Sequence, residues 1–191
     1  MSSGALPAAL SIIEERSVGS SLGADSIEAG KTAAIVGFLA VSGLMISAYG
    51  LFGLFSILAL LVNIAIIMAC LSIIPATLTL PGIAGMVLTM GVAVDANVLI
   101  YERIREEMKS GRAMISSIEQ GFDRAYATII DSHLTGLLAA IILYLFGSGT
   151  VRGFAVTLSF GIVSSLFTSI TLTRLMVSTW LRKTRPAVLE I

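Results

Sequence analysis

Five apolar runs, at residues 31–50, 52–74, 80–101, 128–146 and 153–175, restrict this chain more than any motif does. Each is close to the ~20 residues a helix needs to cross a hydrocarbon core about 30 Å thick. Composition agrees: 56% of the residues are hydrophobic and 13% charged, with a mean hydropathy of +0.97, far outside the range of a soluble domain. The pattern predicts an all-α membrane protein, a five-helix transmembrane bundle over residues 31–175. Gly50-Leu51-Phe52-Gly53 and Ile74-Pro75-Ala76-Thr77 read as tight turns that set the first three spans antiparallel, and Gly147-Ser148-Gly149 as the turn into the last. The first span is not a cleavable signal peptide, because it begins too late and no basic segment precedes it. The single cysteine, Cys70, lies inside an apolar run as a small packing residue, so disulfides play no part.

Net charge is zero, but the basic residues are not evenly spread. Arg103, Arg105, Lys109, Arg112 and Arg124 fall in the loop at residues 102–127, and Arg182, Lys183 and Arg185 in a tail at 176–191. With five spans both regions share one side, which the positive-inside rule makes cytoplasmic. Residues 1–30 are then extracytoplasmic, with only Arg16, Lys31 and Arg152 outside. Residues 10–18 have strand-like β-branched content with no partner strand in reach, so 1–30 reads as the end of a preceding domain, a strand remnant and a connector. Asp25 or Ser26 is placed to cap the helix that follows. In the loop, a charged helix continues the third span to Ser110, with Glu102 and Glu106, and Arg103 and Glu107, one turn apart, and ends at Gly111. A second, amphipathic helix carries Ile115, Ile118, Phe122 and Tyr126 on one face, either as an interfacial elbow against membrane lipid or as a docking surface for a cytoplasmic partner. No continuous basic face accompanies an aromatic platform, which argues against nucleic acid.

Within the third span stands one carboxylate, Asp95. A charge at the centre of a bilayer costs at least about 2.5 kcal/mol, so such a residue is by default a candidate for ion or proton handling. Its neighbours in Gly91-Val-Ala-Val-Asp95-Ala-Asn97 are small enough to admit another helix, and Asn97 offers an amide to the acid. The alternative is that Asp95 only bonds a neighbouring helix. The last span carries Gly153, Thr157, Gly161, Ser165, Ser169 and Thr173 at intervals of four, a stripe that suits close packing or, facing Asp95, the holding of waters that pass a proton. Thr128, Ser132, Gly136 and Ala140 form a matching edge on the fourth span. Asp131 lies near the start of that span, where a helix N-terminus favours a carboxylate; it is either an interfacial acid or, with Thr157 and Ser165, part of a secondary polar site. His133 is a pH-sensitive candidate, but a single histidine makes no metal site. Zincin, phosphate-loop and nucleophile-elbow motifs are absent, so no enzyme and no cofactor are expected.

The run from Leu78-Thr-Leu-Pro81-Gly82 through Gly91-Val-Ala-Val-Asp95-Ala-Asn97 to Tyr101-Glu102-Arg103-Ile-Arg105-Glu106-Glu107 closely resembles the SecD/SecF family of the bacterial protein-export machinery. Gly4-Ala-Leu-Pro7, Glu14-Glu15-Arg16, Leu22-Gly-Ala-Asp25-Ser26, Gly121-Phe122 and Gly153-Phe-Ala-Val-Thr157-Leu extend the resemblance along the chain. It implies the C-terminal half of a six-span inner-membrane protein of the SecD type, starting in the last strand of a large periplasmic domain and holding the second to sixth spans. It also implies a use of proton flow to help draw preproteins across the membrane, with Asp95 as the intramembrane acid and protons as the coupling ion. SecF, the SecYEG translocon, YajC and the translocating preprotein are the implied partners. His133 and Gly136 depart from the asparagine and threonine expected at those positions. A proton-driven exporter of the same superfamily and a non-conducting translocon scaffold are the alternatives.

Overall fold

The computed structural model describes residues 20–73 and 80–185. The strand expected at 10–18, the turn at 74–77 and the chain past 185 lie outside the described residues. Among the described residues the structure is helical: α1 (Ser20–Ile73), α2 (Leu80–Lys109), α3 (Met114–Phe146), α4 (Thr150–Phe167) and α5 (Thr173–Thr184), with a π-helical turn at Thr168–Leu172 joining the last two. Four helices, Ile27–Ile73, Leu80–Lys109, Met114–Phe146 and Thr150–Thr184, are long and apolar enough to cross a membrane.

The first of these is two arms rather than one rod. Gly50 breaks α1 with φ 51° and ψ −119°, the first central position of a type II′ turn, which only glycine adopts without strain. Beyond it the chain turns back: a Cβ on Gly53 would run into the Met45 carbonyl, whereas eight residues of straight helix span about 12 Å. Ala34, Ile35 and Phe38 of the first arm accordingly share an apolar cleft with Leu61, Ile64 and Ile67 of the second. The turn is pinned to α2. Tyr101 Oη donates to the Phe52 carbonyl at 2.8 Å and accepts from Ser56 Oγ at 2.8 Å. Tyr49 Oη donates to Glu102 at 2.9 Å, and Arg105 bonds both Glu102 at 2.7 Å and the Ala48 carbonyl at 3.2 Å.

Three boundaries differ from the sequence reading. Residues 20–26, expected as a connector capped at Asp25 or Ser26, are already part of α1; a single glycine at 23 costs about 1 kcal/mol, too little to stop a helix propagating from a span. The tail expected from 176 is helical as far as Thr184, because Val177 is fully buried and Trp180 packs edge-on against Phe52 at 5.8 Å. The amphipathic loop helix and the fourth span are one helix, α3. Its inward face is Ile118, Phe122, Ala125, Ile129, His133 and Ala140, while Ile115 and Tyr126 are exposed. Thr128 and Ser132 are exposed as well, so only the second half of the small-residue edge expected at 128, 132, 136 and 140 packs: Ala140 is buried, and a Cβ on Gly136 would meet Ile162 of α4 at 3.1 Å.

α2 is the centre of the bundle, and glycines set how closely its neighbours approach. A Cβ on Gly121 of α3 would sit 2.8 Å from the Ile104 backbone, and one on Gly161 of α4 would sit 2.6 Å from Thr89 Cβ. At the charged end Glu107, with 4% of its side chain exposed, accepts from Arg112 at 3.0 Å and Arg124 at 2.6 Å. It therefore does not pair with Arg103, which reaches Glu106 at 2.7 Å instead. One carboxylate thus ties α2 to the α2–α3 turn and to α3.

Candidate functional site

Asp95 and Asn97 stand two residues apart on α2, and two residues of helix amount to about 200° of rotation. They therefore face opposite ways. Asn97 is 2% exposed; its Nδ2 donates to the Ala93 carbonyl at 3.3 Å and its Oδ1 accepts from Thr173 Oγ1 at 2.9 Å. It is a clamp between α2 and the start of α5, and it does not hydrogen-bond Asp95 as the sequence allowed. Asp95 is exposed on the bundle surface and makes no hydrogen bond or ion pair among the described residues. Leu80, Ala84, Leu88, Gly91 and Asp95, at intervals of three and four, are the exposed ridge of α2, and nothing lies within 4 Å of where a Gly91 Cβ would be.

The stripe of the last span turns inward, toward the Asn97 side of α2. Thr157, Gly161, Ser165, Ser169 and Thr173 are all buried. Four-residue steps overshoot an α-turn by about 40°, so this stripe would wind about 160° around a straight helix. The π-helical turn at Thr168–Leu172 takes more residues per turn and returns Ser169 and Thr173 to the buried face. Within the stripe the two expected site residues part. Thr157 Oγ1 donates to the Gly153 carbonyl at 3.0 Å and packs near Gly85, whereas Ser165, two turns on, meets α3.

There its partner is His133, 5% exposed. His133 Nε2 lies 2.8 Å from Ser165 Oγ and Nδ1 lies 2.9 Å from the Ile129 carbonyl. Ser165 Oγ also reaches the Ile162 carbonyl at 2.9 Å, and Ser169 Oγ bonds the Ser165 carbonyl. Asp131 does not join this group: it is exposed, and because α3 begins at Met114 it lies in mid-helix rather than at an N-terminus. Arg174 pairs with Asp123 at 3.9 Å and Arg152 bonds the Gly147 carbonyl at 2.9 Å, so each arginine is engaged away from Asp95.

Two polar residues escaped the sequence reading. Asn63, in the second arm of α1, is fully buried, accepts from Ser164 Oγ and leaves its Nδ2 without a partner among the described residues. Ser56 completes the Tyr101 chain. Each interrupts an apolar run, the same signal that marked Asp95. Among the described residues no cluster of three metal-ligating side chains occurs.

The family described as protein export membrane protein SecD/SecF, C-terminal, matches residues 3–183. The chain is 54% identical over 188 residues to the protein translocase subunit SecD of Rickettsia bellii, covering 98% of this chain and 37% of that protein. It is 53% identical to the SecD of Rhodobacter capsulatus, covering 98% and 34%, and 48% identical to the SecDF of Brucella abortus, covering 96% and 24%. The crystal structure of SecDF, a translocon-associated membrane protein from Thermus thermophilus, superposes with a TM-score of 0.86 at 44% identity, over 90% of this chain and 24% of that one. The chain thus spans about a third of the length of the SecD relatives. The apolar helical bundle, the family match and the likeness to these relatives all lead to one assignment: this chain belongs to the SecD/SecF family of protein-export membrane proteins, and corresponds to their C-terminal portion.

Proposed function

We propose that this chain is the membrane-embedded, proton-coupled part of a Sec translocase accessory subunit, and that Asp95 is its coupling acid. The observation that carries the reading is the place of Asp95: a carboxylate on the open ridge of an apolar helix, with no hydrogen bond or ion pair among the described residues. Ionised there, it is costly against lipid; protonated, it loses its charge. Each proton taken up or released therefore changes which packing of the ridge is favoured, and a bundle with two packings transmits that bias outward.

The ridge needs a cover. Ala84 and Gly91 leave space for a close helix, and the SecDF relatives carry this portion within chains about four times as long. SecF is the partner that fits, bringing a cation or hydrogen-bond donor to Asp95. SecYEG, YajC and the preprotein are then contacts of the assembled complex in the bacterial inner membrane. In this reading the chain crosses the membrane five times, α1 contributing two crossings through its Gly50 turn, with the Arg103–Arg124 loop and the Arg182–Arg185 end cytoplasmic and the N-terminal segment periplasmic. Protons are the only coupling agent required.

The test is preprotein translocation in vesicles holding full-length protein and its SecF partner, with and without a proton gradient. Asp95→Asn is expected to abolish the gradient-dependent part while insertion, complex formation and ATP-driven transport persist. Unchanged gradient dependence would leave Asp95 as helix glue and the chain as a scaffold.

A further inference from the structure

Where the first turns of α3 meet the end of α5, the bundle leaves an open groove of about 870 Å³. Ile115, Ile118 and Phe122 line it from α3, and Val177 and Leu181 from α5. Ile118, Phe122 and Val177 make a buried floor, while Ile115 is 66% exposed at the edge. Three of the four residues in the amphipathic pattern of the loop helix therefore line a cleft instead of packing into a core.

Above that floor the charge is mostly of one sign. Arg174, Arg182 and Arg185 line the groove from α5, and Glu119 is the one carboxylate in the lining. At 100° per residue the three arginines fall within about 80° of arc, so they share one face of the helix. Arg174 is engaged: it lies 3.9 Å from Asp123 and 5.7 Å over the Phe122 ring. The side chains of Arg182 and Arg185 are exposed and make no hydrogen bond or ion pair among the described residues. An apolar floor beneath unpaired guanidinium groups suits a ligand that is apolar at one end and anionic at the other, and the forked donors of arginine suit a phosphate. Position decides the source of that phosphate. The groove starts at Arg174, at the end of the apolar run 153–175, and the layer just outside the hydrocarbon is where phospholipid headgroups lie.

We propose that the groove between the start of α3 and the end of α5 binds an anionic phospholipid, its phosphate held by Arg182 and Arg185 and an acyl chain laid against Ile115, Ile118 and Leu181. One lipid molecule then ties the loop helix to the end of the last span. The assignment rests on the chain crossing a membrane and is independent of Asp95 as the coupling acid. A free anion would gain nothing from the apolar floor, and a zwitterionic lipid would bring a cation to a mouth that already holds two.

The test uses full-length protein in detergent with equal amounts of phosphatidylglycerol and phosphatidylcholine, the retained lipids being counted by native mass spectrometry. The unaltered protein is expected to retain phosphatidylglycerol in preference, and Arg182→Gln with Arg185→Gln to lower that preference roughly tenfold. Lys183→Gln removes a like charge from the same turn of α5 but outside the groove, and is expected to change nothing. A loss as large as that of Arg182→Gln alone would assign the effect to general surface charge and overturn the site. Ile115→Gln, at an exposed position that folding does not depend on, is expected to weaken retention several-fold. Inorganic phosphate is expected to displace no more lipid than chloride at equal ionic strength. Indifference to Ile115→Gln, or specific displacement by phosphate, would mean an anion site without a lipid and overturns the proposal. No preference for phosphatidylglycerol in the unaltered protein overturns it as well, and leaves the groove to a protein segment.

Discussion

Glu107 shows what a single buried carboxylate contributes here. Its oxygens hold Arg112 and Arg124, whose side chains are 44% and 56% exposed while its own is 4% exposed. The two halves of this arrangement are not equivalent. Glu107→Gln leaves two arginines that water can solvate, and is expected to cost about 1–2 kcal/mol, the worth of charged hydrogen bonds discounted for exposure. Arg112→Ala with Arg124→Ala strands a carboxylate in the bundle and is expected to cost about 3 kcal/mol or more. Thermal unfolding of the full-length protein in detergent checks the order; equal losses would contradict it. At this scale the sequence was partly legible. A lone acid in an apolar run announced Asp95, but helical rotation alone ruled out the Asp95–Asn97 bond, and that periodicity was there to be read. The Glu107 pairing was not, since Arg112 and Arg124 come to it through tertiary packing rather than through one-turn spacing.

Among the elements, apolar length identified helices well and their ends poorly. The charged continuation of α2 to Lys109 was legible, but the change from amphipathic to apolar pattern near 127 did not divide α3, because a helix continues as long as its backbone bonds are made. The inward face of α3 was misplaced by about 35°, roughly a third of one residue's rotation. Large side chains such as Ile115 and Tyr126 drew attention, while Gly121 and Ala125 decide the contact by being small. Gly121→Ala puts that point to measurement. The added methyl meets the Ile104 backbone at 2.8 Å, so α2 and α3 must separate, and a loss of about 1–3 kcal/mol is expected in the same unfolding assay. Gly43→Ala, with nothing within 4 Å of the new carbon, is the control that should be neutral or mildly stabilising.

For the molecule as a whole, the family and the membrane character were legible from the sequence, whereas the existence of an open face was not. Periodicity shows which side chains share a face, but not which faces of a helix remain uncovered once the others have packed. The ridge from Leu80 to Asp95 is therefore a finding of the structure, and Gly91 separates its role in folding from its role in assembly. Gly91→Leu fills a space that this chain leaves empty. Thermal stability of the isolated subunit is expected to hold, while co-purification of the proposed SecF partner falls several-fold; intact co-purification would show that this ridge is not where it docks. The wide turn at Thr168–Leu172 matters in another setting, the comparison of relatives. It holds one residue more than an α-turn, so a relative lacking one residue there carries a plain α-helix with Thr157 and Thr173 still facing α2. A one-residue gap at that point in an alignment would record a difference in winding, with the architecture on either side unchanged.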